Sequence, residues 1–205
     1  MITIVDYKIG NIGSIINMFK KIGVEAKLSS SKEDILSAKK LLLPGVGSFD
    51  KGMQNLEEMG LKDLLDEKVL GEKTPLLGIC LGMQLLMSRS EEGTSKGLDW
   101  IEGEVKKFYF PDQQTLKVPH MGWNEVVSKK HNDLFAGMEE DARFYFVHSY
   151  FVQCHNEEDM LATTFFGHPF TSAVQKNNVF GVQFHPEKSH RYGMMLLKNF
   201  ALMPC

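Results

Sequence analysis

No apolar run in this 205-residue chain approaches the roughly 20 residues that a bilayer-spanning helix needs. The opening MITIVDY enters a strand-like pattern without the basic start of a signal peptide, so a cytoplasmic protein with no membrane association is expected. Cysteine is scarce: Cys80, Cys154 and Cys205 are widely spaced and odd in number, which fits neither a disulfide framework nor a zinc site. The histidines and carboxylates form no recognisable ligand spacing, and no cofactor or metal is expected. A net charge of -3 offers no basic surplus for nucleic acid. Repeats, linkers and low-complexity segments are absent too. What remains, 43% hydrophobic and 24% charged residues, is the composition of an ordinary globular protein, and the length suits a single domain over residues 1–205.

The pattern along the chain is an alternation of strands and helices. Ile2 to Val5 is a short apolar run, and Ile12, Ile15, Ile16, Phe19 and Ile22 then recur at helical spacing before Gly23. A second strand is expected at about Val24 to Leu28, and a helix capped by Ser31, with Asp34 three positions on, leads to the run Leu41 to Leu43. Ser48 to Leu70 reads as one long or two consecutive amphipathic helices, and Leu76 to Ile79 feeds a helix from about Leu81. Strands apolar on both faces imply a parallel sheet with helices on either side. From Trp100 to Val127 and from Phe144 to Phe184 the pattern turns β-rich, with Asn177-Asn178 as a hairpin turn, so the sheet gains antiparallel or mixed strands there. Met194, Leu197, Phe200 and Ala201 close the chain as a helix packing back on the sheet.

Two short motifs carry chemistry. Gly78-Ile79-Cys80-Leu81-Gly82 sets a cysteine between two glycines at a strand-to-helix junction, a cysteine version of the nucleophile elbow. The glycines remove side chains that would clash in so sharp a turn, and a following helix N-terminus favours thiolate over thiol. A free cysteine is by default a small core residue, and it is the glycines that argue otherwise here. Cys154 and Cys205 lack such a setting and are assigned structural or incidental roles. Among seven histidines only His185 comes with an orienting acid. In Gln183-Phe184-His185-Pro186-Glu187 the proline favours extended geometry, in which alternate residues point the same way, so Glu187 can reach the imidazole. Such a carboxylate fixes the tautomer and leaves the other ring nitrogen to exchange a proton with sulfur and with a leaving amine. An incidental surface His-Pro-Glu is the alternative, and the apolar run Val179 to Phe184 leading into the motif weighs against it. Backbone N–H groups for an oxyanion are offered by Leu81 and by Val46 or Gly47 in Pro44-Gly45-Val46-Gly47-Ser48-Phe49, which otherwise reads as a plain strand-to-helix turn.

In that order, PGVGSF, GICLGMQLL, VPHMGWN, YFVHSY and QFHPEKS resemble the glutaminase subunits of imidazole glycerol phosphate synthases, within the class I, triad-type glutamine amidotransferases. The resemblance covers nearly the whole chain. GICLGMQ and FHPE belong to the wider class, whereas VPHMGWN and the free-standing length point to this subunit. It implies a flavodoxin-like α/β fold, a doubly wound, mostly parallel sheet with additional antiparallel strands. It also implies a catalytic triad of Cys80, His185 and Glu187, and a γ-glutamyl thioester hydrolysed to glutamate and ammonia. The partner it implies is a (β/α)₈ cyclase subunit, bound as a heterodimer, that receives ammonia from glutamine through a tunnel in histidine biosynthesis. Carried over residue by residue, Gln84 and Glu92 look like glutamine-binding residues, Glu92 suiting the ammonium group, with Ser149 and Tyr150 lining the same pocket. For Glu92 a solvated helix-end carboxylate is the alternative. Asn11, Met121, Trp123 and Lys188 match positions that in the family face the cyclase, Trp123 having plain core as its alternative. His120 is expected at the interface or in the pocket. Lys8 departs from the family, standing where a glycine is common.

Other readings follow from the same residues. Close paralogues supply ammonia to sugar amidotransferases of surface-polysaccharide biosynthesis, and Lys8 with Ser189-His190-Arg191-Tyr192 would suit one of those. A cysteine peptidase or hydrolase on a similar scaffold has the elbow and histidine in common, though Gln84 and the carboxylate-backed His185 argue against it. A catalytically silent binding subunit is the third, and the intact triad argues against that.

Overall fold

The computed structural model describes residues 1–110 and 116–204, and Cys205 lies outside them. Strands β1 (Ile2–Val5), β2 (Ala26–Ser29), β3 (Leu41–Gly45), β4 (Leu76–Cys80) and β13 (Val179–Val182) lie side by side in the order β2-β1-β3-β4-β13. All of these pairings are parallel. This is the flavodoxin-like order, in which ligands gather beyond the carboxyl ends of the strands. β1, β3, β4 and β13 are buried along their whole length, which is why they read as unbroken apolar runs.

Alternation along each strand divides the interior into two cores. Ile2, Ile4, Leu42, Leu77 and Ile79 pack with α1 (Ile12–Lys21) and α6 (His190–Leu202) through Ile15, Phe19, Leu197 and Phe200. Val5, Leu41, Leu43 and Leu76 pack with α3 (Phe49–Glu58) and α4 (Leu61–Asp66) through Phe49, Met53, Leu56 and Leu65. The Ser48 to Leu70 stretch is thus two helices, broken at Gly60 (φ 63°), and a π-helical turn over Glu67–Gly71 follows. Ser31 caps α2 (Lys32–Leu36), its hydroxyl accepting the Asp34 N–H at 3.2 Å.

Beyond β13 the sheet continues antiparallel through β12 (His168–Lys176) and β10 (Tyr150–Cys154) to β6 (Gly103–Lys107), with β11 (Met160–Phe166) also paired to β12. The short β5 (Arg89–Ser90) runs parallel beside β6, and β8 (Val127–Ser128) antiparallel beside β11. Asn177-Asn178 makes the expected turn between β12 and β13, Asn177 taking φ 54°. Neither β-rich stretch joins this sheet entirely. β7 (His120–Glu125) and β9 (Arg143–His148) form a separate antiparallel ribbon, with Trp123 opposite Tyr145 and His120 opposite His148. Its inner face is buried, His120, Phe144, Phe146 and His148 included, while Met121 and Trp123 on the outer face are 62% and 47% exposed. Among the described residues no helix is long and apolar enough to cross a membrane.

Candidate active site

Cys80 ends β4, and α5 (Leu81–Leu85) begins at the next residue. The turn holds Cys80 at φ 55°, ψ -110°, a conformation that costs a side-chain-bearing residue and persists only where the surroundings impose it. The surroundings here are backbone. A Cβ on Gly78 would lie 2.7 Å from the Gly82 carbonyl carbon and 2.8 Å from the Met83 nitrogen, and one on Gly82 would collide with the Leu43 carbonyl. Both glycines are therefore required by close approach. With only five residues, α5 brings a small dipole to the sulfur, so the neighbouring base matters more than the helix.

That base arrives from the adjacent strand, because β13 pairs directly with β4 and its continuation carries His185. The His185 N–H donates to the Tyr145 carbonyl at 2.9 Å. The Ser189 hydroxyl donates to the His185 carbonyl at 2.6 Å and accepts the Tyr145 N–H at 3.0 Å. The His185 backbone is thus clamped between two elements. Nδ1 lies 2.8 Å from Glu187 Oε1, and both side chains are only 2% exposed. Extended geometry is not what brings the acid there. Pro186–Lys188 forms a 3-10 turn, which folds Glu187 back onto the ring. Burial opposes the charged imidazole, yet the Cys80 sulfur and the Glu187 carboxylate outweigh it and push the His185 pKa up to about 10. His185 Nε2 and Glu187 Oε2 are buried with no hydrogen-bond partner among the described residues, and His185 Nε2 is left available for proton exchange. Nearby, α6 packs so closely at Gly193 that a Cβ there would strike the Pro186 carbonyl.

A cavity of about 360 Å³ opens over Cys80 and His185. Its lining includes every residue expected to form the oxyanion and substrate site: Val46, Gly47, Leu81, Gln84, Glu92, Ser149 and Tyr150. It also includes Pro119, Val147 and His148, which lie within VPHMGWN and YFVHSY but have no role assigned to them from sequence. Val46 is 44% exposed on the loop after β3, and Gly47 adopts φ 121°, which only glycine takes without strain. Glu92 is half-buried and lies in a turn rather than at the end of a helix of its own. One of its oxygens accepts the Phe49 N–H at 2.8 Å, capping α3. Gln84 donates from Nε2 to the Tyr150 carbonyl at 3.2 Å and to Gln183 Oε1 at 3.0 Å, so only its oxygen is left for a ligand.

His120 lies in neither of its expected settings. It is 4% exposed inside the ribbon, 2.9 Å from His148 through Nδ1 and Nε2, and stacked on Phe146 and Phe166. Burial pushes the two rings down to pKa values of about 4 and about 3, so both are neutral near pH 7. The inward set His120, Gly122, Asn124 against the outward set Met121, Trp123, Glu125 is a period-2 signal that could have revealed this. Trp123 is not core: it is exposed and stacks on His190 with centroids 5.2 Å apart. Lys188 Nζ lies 5.5 Å over the Tyr145 ring, so Trp123, Tyr145 and Lys188 adjoin on the outside of the ribbon. Asn11 and Lys8 are exposed, Lys8 at φ 63°. Cys154, half-buried, has its thiol pushed up to about 12 by burial and by Asp159, which suits an inert role. No group of three or more metal-ligating side chains is present among the described residues.

The family model described as glutamine amidotransferase class-I matches residues 3–203. A Methanococcus maripaludis protein named imidazole glycerol phosphate synthase subunit HisH 2 is 55% identical, with 98% of each chain covered. A Pseudomonas aeruginosa protein of the same name is 50% identical over the same shares. A solved structure titled glutamine amidotransferase superposes with a TM-score of 0.73 at 21% identity, covering 97% of this chain and 96% of that one.

Proposed function

The chain belongs to the class-I glutamine amidotransferase family, and on that premise we propose that it is the glutaminase subunit of an imidazole glycerol phosphate synthase. The observation that carries the reading is the convergence of three elements on one cavity: the Cys80 elbow, the Glu187-backed His185 and the loop at Val46 and Gly47. Cys80, as thiolate beside a charged His185, attacks the glutamine amide carbon. His185 then protonates the departing ammonia, and a water activated by the same ring hydrolyses the thioester to glutamate. Glu187 holds the imidazole in the required tautomer throughout. Leu81 N–H and an N–H at Val46 or Gly47 receive the oxyanion. Glu92, with one oxygen committed to α3, offers the other to the substrate ammonium, while Ser149 and Tyr150 wall the pocket and Gln84 accepts through its oxygen.

The acceptor of the ammonia is a cyclase subunit docked on the exposed side of the ribbon, at Met121, Trp123 and Lys188, and on Asn11 at the start of α1. All of residues 1–205 act as one domain, in the cytoplasm. A second acceptor, a sugar amidotransferase, is favoured by Lys8, exposed at φ 63° where the family commonly has glycine, and by the run Ser189-His190-Arg191-Tyr192. The test is ammonia and glutamate release by wild type and Cys80→Ala, with and without the cyclase, followed also into the cyclase product. Cyclase-dependent turnover lost in Cys80→Ala supports the reading. Turnover with a sugar amidotransferase but not with the cyclase would move the chain to the second acceptor.

A further inference from the structure

Gln183 has no part in the mechanism above, yet it is fully buried beside the nucleophile, its Nε2 3.7 Å from Cys80 Sγ. The direction of its amide is dictated by its neighbours. Gln84 Nε2 donates both to the Tyr150 carbonyl, which can only accept, and to Gln183 Oε1 at 3.0 Å. Gln183 therefore presents oxygen to Gln84 and its N–H to sulfur. The Tyr150 carbonyl is fixed in turn by His148 Nδ1 at 2.7 Å. With that proton on Nδ1, neutral His148 accepts at Nε2 from His120 Nδ1, and His120 Nε2 accepts from Asn124 Nδ2 at 3.1 Å. Every donor sense from Asn124 to Cys80 is consistent with one assignment. The Gln183 backbone is also tied, its N–H donating to the Ser172 carbonyl at 2.9 Å.

We infer that Gln183 is a further catalytic residue, donating its side-chain N–H to the Cys80 thiolate and holding the sulfur for attack, with Gln84 as the residue that orients it. An N–H aimed at an anionic acceptor is stronger than a neutral hydrogen bond, and Gln183 is fully buried where it meets the sulfur. The inference rests on Cys80 being the nucleophile. If Gln183 were only a core glutamine satisfied by Gln84, its contact with sulfur would be incidental and dispensable.

The experiment is glutaminase kinetics of Gln183→Met in the full chain with its partner subunit, since methionine keeps the volume and removes the donor. The expected result is a kcat lower by about tenfold or more with KM within about twofold. A kcat within about twofold of wild type, or a rise confined to KM, overturns the inference. Because a buried substitution can unfold the chain, unaltered protein supplies a second measurement: alkylating Cys80 should shift the Gln183 side-chain ¹⁵N–H resonance, and an unmoved resonance overturns the inference. Cys80→Ala is assayed in parallel. Activity lost there but kept in Gln183→Met leaves the nucleophile standing and removes Gln183 alone, whereas activity kept in Cys80→Ala removes both.

Discussion

The parallel strands bring a strained nucleophile to the pocket, whereas the antiparallel strands bring a wall whose polar groups are tied off to one another. On the parallel side, the Cys80 conformation is imposed by backbone packed against backbone at Gly78, Gly82 and Leu43. On the antiparallel side, Tyr150, His148, His120 and Asn124 are joined by hydrogen bonds inside a nest of Phe108, Phe146, Phe166 and Phe170. Each region therefore responds to its own kind of substitution. Steric change belongs to the first region and electrostatic change to the second, with His185 and Glu187 at the seam between them.

The largest effect is expected from Gly82→Ala, which forces a methyl group onto the Leu43 carbonyl and should cost about 3 kcal/mol or more in urea unfolding. A loss near the ordinary glycine-to-alanine difference would break the claim that backbone contact imposes the elbow. At the seam, Glu187→Gln keeps the shape but lets the side chain donate to Nδ1, stabilising the wrong tautomer. Turnover should fall by about a hundredfold, measured as glutamate release, with the fold intact.

Acid should act on the antiparallel wall. His148 and His120 have folded-state pKa values of about 3 and about 4, below the ordinary 6.5, so the unfolded chain binds protons that the folded chain refuses. Stability contributed by their neutral state is therefore present above pH 6.5 and is lost as pH falls toward 4. The melting temperature should drop over that window, and His148→Gln should flatten the dependence. The smallest effect on stability is expected from Trp123→Ala on the exposed ribbon face, within about 1 kcal/mol. Under the proposed function its effect should instead be weaker binding of the partner subunit, read by titration calorimetry.

The same contrast explains what could be read from the sequence. The parallel half announces itself because strands buried on both faces are unbroken apolar runs, and because Gly-Ile-Cys-Leu-Gly states its turn locally. His-Pro-Glu was legible as a pair, although a 3-10 turn rather than an extended segment brings the acid to the base. The antiparallel wall was harder, since its strands are short and their partners distant in sequence. Nothing around Pro119 or Val147 says that either faces Cys80. That β7 and β9 leave the main sheet as a ribbon depends on pairing between segments about 20 residues apart, which alternation alone does not fix. The setting of His120 is not legible in the sequence, because its partner His148 is 28 residues away and adjoins it only once the two strands are aligned.

Whether Cys80 is the nucleophile is decided by labelling with a glutamine analogue whose γ-carbon carries an electrophile, followed by mass spectrometry of the digested chain. A single adduct on the peptide containing Cys80, prevented by excess glutamine and lost in His185→Ala, is expected. An adduct on Cys154 instead, or glutamine turnover that continues with Cys80 fully labelled, would contradict it.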